Sequence, residues 1–138
     1  MNISVNYLSV LLAGVASMVV GFLWYSPFLF GNLWMNLSGL TKEKMEAAKA
    51  KGMGKSYFIA FLSSLVVAFV LAHFAKVWNA QGVSGAFALA FWPWLGFVAT
   101  TEINSILWDN KPVNLYLLNI AHHLVSIFAM ALVLVYLP

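Results

Sequence analysis

The chain has 138 residues, of which 63% are hydrophobic and only 8% charged, with a mean hydropathy of +0.90. A soluble domain carries about 25% charged residues, so composition alone excludes an ordinary globular protein and indicates an integral membrane one. The net charge of +3 comes entirely from lysine, because arginine is absent, and so is cysteine. The first absence argues against nucleic-acid or phosphate recognition by guanidinium forks. The second excludes disulfides, thiolate metal sites and cysteine nucleophiles.

This length allows a single membrane domain, residues 1–138, with about four spans of roughly 20 residues each. The first apolar segment covers about residues 5–25. It lacks a basic leader region and a small-residue cleavage site, so it is expected to stay as a helix rather than be removed as a signal peptide. Ala13, Ser17 and Gly21 recur every four residues along it, a stripe that lets a neighbouring helix approach closely. The segment closes on Trp24-Tyr25-Ser26-Pro27, because proline disfavours helical geometry at the residue before it. Phe28 to Trp34 follow, including Phe30 and Gly31. The plain expectation for this block is an aromatic belt at the membrane–water interface with a short interfacial helix. A ligand groove floored by the tryptophans is the alternative.

Thr41 to Lys51 form a strongly polar run. Thr41 can cap a short amphipathic helix, with Glu43 in its first turn and Lys49 and Lys51 near its end, as the helix dipole prefers. A solvated face is expected there; lysine contact with anionic headgroups is the other reading. The second span covers about residues 56–78, with Ala60, Ser64, Ala68 and Ala72 as a second small-residue stripe and His73 and Lys76 near its far end. Asn79 to Gly85 read as a turn. The third span covers about residues 86–108 and contains Trp92-Pro93-Trp94, where proline is expected to kink the helix. Asp109 to Pro112 make a tight turn, and the fourth span covers about residues 113–137. The expected fold is all-α, a bundle of four transmembrane helices with a short cytoplasmic amphipathic helix between helices 1 and 2. Lys42, Lys44, Lys49, Lys51 and Lys55 place that connection in the cytoplasm, with both termini outside, in a plasma (inner) membrane; Lys76 is a minor exception. The lipid bilayer is the first partner, and the two small-residue stripes point to a homo-oligomer.

Polar groups concentrate in the last helical hairpin, at Glu102, Asn104, Asn119, His122 and His123. Asn119, His122, His123 and Ser126 stand at i, i+3, i+4 and i+7, one face of a helix, extended by Tyr116 and Met130. On the third span Thr101, Asn104, Ser105 and Trp108 share a face. Helical rise puts Glu102 roughly 9 Å and His122 roughly 14 Å from the same membrane edge, near enough in depth to meet. An unpaired acid at mid-membrane costs about 2.5–3.5 kcal/mol on insertion scales, so Glu102 is expected to face the bundle interior.

Three uses fit such groups. They lock helix packing; or Glu102, His122 and His123 carry protons or a cation, with Asn104 and Asn119 as neutral ligands; or Ser126 beside the histidines serves catalysis, although nothing marks an oxyanion hole. Adjacent histidines point about 100° apart and cannot readily share one metal. A bis-histidine haem between His73 and His122 would span a depth offset of roughly 10 Å or more. No metal or cofactor is therefore expected, and the ligand stays unspecified.

Together Trp24-Tyr25-Ser26-Pro27, Phe30-Gly31, Trp34, Lys111-Pro112 and Asn119-x-x-His122 resemble a family of small four-span membrane proteins known as domain of unknown function 1761. The resemblance covers nearly the whole chain. It implies a fold and a membrane location, and it carries no activity.

Overall fold

A computed structural model describes residues 3–138, and among these every regular element is helical. Helix α1 (Tyr7–Trp24) is capped by Asn6, whose side-chain oxygen accepts from the Leu8 N–H at 3.1 Å, satisfying one of the donors a helix start leaves open. Two short helices follow, α2 (Gly31–Ser38) and α3 (Lys42–Ala50). Thr41 caps α3 by accepting from the Lys44 N–H at 3.2 Å, and no α3 residue is buried. Next come α4 (Gly54–Val77), α5 (Gly82–Pro93), a short α6 (Asn104–Leu107) and α7 (Val113–Tyr136). Among the described residues, four stretches are long and apolar enough to cross a membrane: Tyr7–Trp24, Gly54–Val77, Gly82–Leu107 and Val113–Tyr136.

The third of these begins at Gly82, inside the stretch read as a turn. Asn79, with a left-handed φ of 51°, and Gly82, with φ of 68°, complete the reversal early, so Ser84 and Gly85 are already helical. Farther along, α5 widens after Pro93 into a π-helical turn over Trp94–Ala99 and then tightens into a 3-10 turn over Thr101–Ile103 before α6. Proline has no N–H to return to the carbonyl four residues back, and its ring crowds the preceding turn. Widening the helix is one way to relieve both. The broken ladder frees carbonyls that side chains then occupy: Thr100 Oγ1 donates to Gly96 O at 2.7 Å, Thr101 Oγ1 to Phe97 O at 2.6 Å, and Tyr116 Oη to Ala99 O at 2.5 Å.

Helix α7 is the hub, packed along α1, α4 and α5, while α1 also lies along α4. Lipid tails are as apolar as leucine, so helices here associate by close packing and by hydrogen bonds rather than by hydrophobic exclusion. The core is accordingly built of small residues: Ala13, Ala68, Ala86, Ala90 and Ala131 are fully buried, with Leu89 and Met130 among the larger ones. Bulky side chains such as Val66 and Phe97 point outward, as a lipid-facing surface requires.

Within the bundle the α1 stripe packs against its neighbours: Ala13 is fully buried, Ser17 sits between Ser64 of α4 and Ser126 of α7, and Gly21 faces His122 of α7, while Gly14 beside the stripe faces Leu65 and Phe61 of α4. In the α4 stripe, Ala68 and Ala72 are buried but Ala60 is exposed. A methyl group added at Gly14 would come within 2.7 Å of Leu65 Cδ2, the end of a flexible side chain. Gly14→Ala is therefore expected to shift stability by no more than about 1 kcal/mol, since Leu65 can turn away and alanine favours the helix. Unfolding by graded denaturing detergent measures this, and a loss of several kcal/mol would show that α1 and α4 cannot adjust.

Candidate functional site

Immediately after α1 the chain folds back through a tight double turn. Phe30 N–H donates to Trp24 O at 3.0 Å, while Ser26 O accepts from both Leu29 N–H (3.1 Å) and Gly31 N–H (2.9 Å). Ser26 Oγ donates to Leu23 O at 2.7 Å and closes the end of α1. Gly31 is buried, and a Cβ there would run into the backbone of Tyr25 and Ser26. The turn brings Phe30 against Trp24, with ring centroids 4.6 Å apart, and Trp34 edge-on to Tyr25 at 5.7 Å.

This geometry adds contacts within the protein to the expected belt. Trp24 and Tyr25 are half-buried and turned onto α7, whereas Phe28, 96% exposed, points outward. Tyr25 Oη donates to Asn119 Oδ1 at 2.8 Å, and its ring lies 4.9 Å from that of His122. Trp24 lies 6.1 Å from His122, and His123 lies 5.1 Å from it on the other side. Gly21 lies beside it: an added Cβ there would sit 3.6 Å from His122 Nε2, an ordinary van der Waals distance. Residues nearly 100 positions apart thus meet in one aromatic and polar cluster.

The cluster contains unmet hydrogen-bonding capacity. Both ring nitrogens of His122 and the indole Nε1 of Trp24 are buried without a hydrogen-bond partner. Buried polar atoms are seldom left this way, because each unmet one costs about 1–3 kcal/mol. Trp94, by contrast, is satisfied: its Nε1 donates to Ile120 O at 2.7 Å, one turn from His123.

Glu102 departs from its expected place. It sits in the 3-10 turn and its side chain is exposed, not buried in the bundle. The physical reason is phase. A regular helix advances about 100° per residue, but the π turn before Glu102 and the 3-10 turn that contains it unwind and rewind the chain at other rates. No hydrogen bond or ion pair to Glu102 is present among the described residues, and it stands at the edge of the cluster rather than within it.

Asn104 does not join the site either. Its Nδ2 donates to Thr101 O at 2.9 Å and its Oδ1 accepts from Trp108 Nε1 at 3.1 Å, so its amide closes the ragged end of its own span. Ser126 is engaged as well, 2.7 Å from Ser17 Oγ. His73 lies toward the other end of the bundle, with Nδ1 2.8 Å from Phe69 O. Gly21, Trp24 and Tyr25 are the members that reasoning confined to the last hairpin left out. For Gly21 the available signal was the four-residue recurrence of Ala13, Ser17 and Gly21, because such a stripe marks where a neighbouring helix comes close.

A membrane bundle of four helices, with a histidine-centred polar cluster against the end of the first one, is thus the class of protein the fold defines. Residues 8–135 match the model of the family described as Protein of unknown function (DUF1761), and the chain belongs to that family. No curated protein and no solved structure matches it.

Proposed function

We propose that the protein is a small proton-linked transport or channel-like membrane subunit in which His122 is the proton-handling group. The observation that supports this reading is the pair of buried, unpartnered ring nitrogens on His122. A neutral imidazole presents one donor and one acceptor, and can take a proton at one nitrogen while releasing one from the other. Nitrogens committed to protein hydrogen bonds could not do this freely. Water reaching the ring satisfies them and supplies the proton. Glu102, at the exposed edge, provides the negative field that favours a cation there, and His123 stands beside it. Asn119 holds Tyr25 in place, and Asn104 belongs to the helix end.

On this reading the lysines of the α2–α4 connection favour a cytoplasmic side of the plasma membrane for this end of the bundle, with both termini outside. A homo-oligomer packed through remaining lipid-facing surface fits the same reading.

A second reading draws on a different observation. The Tyr25–Asn119 and Ser17–Ser126 hydrogen bonds tie α1 to α7, and such bonds between membrane helices contribute about 0.6–2 kcal/mol each. On that reading the polar groups only fix packing.

Proton flux into vesicles of purified protein, driven by a potassium diffusion potential, separates the two. Glu102→Gln is expected to reduce the flux toward the protein-free level with folded yield unchanged, since Glu102 has no hydrogen bond to lose. Wild-type flux no greater than that of empty vesicles would overturn transport and leave the packing role.

A further inference from the structure

Three four-residue stripes meet along the seam of α1, α4 and α7, and their registers align. Ser17, Ser64 and Ser126 form one layer, joined by contacts of 3.4 and 2.7 Å through Ser17. One turn toward the chain termini, the same positions are Ala13, Ala68 and Met130, which are 0%, 0% and 3% exposed. One turn beyond that they are Ser9, Ala72 and Leu134, and all three line a cavity of about 200 Å³ that opens at that end of the bundle between Asn6, Lys76 and Gln81. Ser9 Oγ donates to Leu137 O at its floor. In the opposite direction the layer next to the serines pairs Gly21 with His122.

We propose that the proton path runs along this seam, from the terminal cavity through the serine layer to His122, and that the Ala13–Ala68–Met130 layer is its gate. The proposal rests on the proton-linked reading above and names its route. Helical rise separates successive layers by roughly 6 Å, so the Ser9 layer at the cavity and the serine layer stand roughly 12 Å apart, with the Ala13–Ala68–Met130 layer between them. Met130 is the largest side chain of the Ala13–Ala68–Met130 layer, and its unbranched thioether can change rotamer at little cost. Apolar constrictions of this kind stop conduction by excluding water.

With the gate hydrated, a proton from cavity water passes to a hydroxyl oxygen as that hydroxyl releases its own proton onward. Water between the layers carries it to His122, which accepts it on one ring nitrogen and gives up the proton on the other toward the Tyr25 and Glu102 side. Each group ends as it began once the imidazole turns over, and no oxidant or reductant takes part. A packing role alone explains hydroxyls that bond one another, but it offers no account of why they line up with an unpartnered imidazole and an open cavity.

The test uses the vesicle flux assay on full-length protein. Met130→Ser is expected to raise proton flux about tenfold, which corresponds to about 1.4 kcal/mol off the barrier, and the added flux should vanish in the Met130→Ser, His122→Gln double variant. Ala13→Ser places a hydroxyl at the same layer from α1 and serves if Met130→Ser fails to fold. Added flux that survives His122→Gln would overturn the route. No increase from either folded variant, alongside wild-type flux that depends on Glu102, would overturn the gate and leave the proton-linked reading intact. Flux at the empty-vesicle level in wild type and both variants would overturn the two together.

Discussion

Gly31→Ala is expected to destabilise the protein by about 3 kcal/mol, the upper end of what overpacking costs, and to dismantle the turn that carries Trp24 and Tyr25. The added methyl would strike the carbonyl of Tyr25 and the peptide of Ser26, which are held by the hydrogen bonds from Phe30 and Gly31 to Trp24 and Ser26. Backbone cannot rotate aside as a side chain does. The contrast with Gly14, where the obstacle is the tip of Leu65, is the informative part. Unfolding of both variants in graded denaturing detergent measures it, with tryptophan fluorescence reporting Trp24 and Trp34 at the turn. Equal stabilities for the two would show that the double turn is not held as tightly as its hydrogen bonds indicate.

Replacing His122 with phenylalanine should separate function from packing by a wide margin. Phenylalanine keeps a ring among Tyr25, Trp24 and Gly21 but removes both nitrogens. Since neither nitrogen has a protein partner, no protein hydrogen bond is lost, and stability should stay within about 1 kcal/mol of wild type. Proton flux, on the proposed reading, should fall to the level of empty vesicles. Loss of folded protein with the same variant would instead mean that His122 holds the bundle together through polar contacts, and the transport reading would lose its support. Asn119 provides the reference: truncating it leaves Tyr25 Oη unpaired and should destabilise the fold.

Legibility in the sequence differed sharply between the spans and the site. The four spans announce themselves because lipid demands long apolar runs and internally satisfied backbone. Capping of α3 by Thr41 was legible because a threonine before a charged helical run has a local partner. The small-residue stripe on α1 was legible as periodicity, although which helix each member faces was not. Asn119, His122 and Ser126 could be placed on one face of α7 because that helix is regular throughout. Glu102 could not be placed, because the π and 3-10 turns after Pro93 break the phase on which face arguments depend. Nor could Tyr25 or Trp24, whose interfacial composition suggested a belt.

The sequence by itself determined that this chain lives in a membrane, how many times it crosses, and which residues are too polar to be there without a reason. Those conclusions follow from composition and period, properties that hold within one segment of chain. Tertiary structure alone decided that Tyr25 bonds Asn119, that Gly21 lies against His122, and that three serines from three helices share one layer. Each joins segments far apart in sequence through the relative depth and rotation of whole helices. Packing of small residues sets that depth and rotation, and no local pattern encodes it.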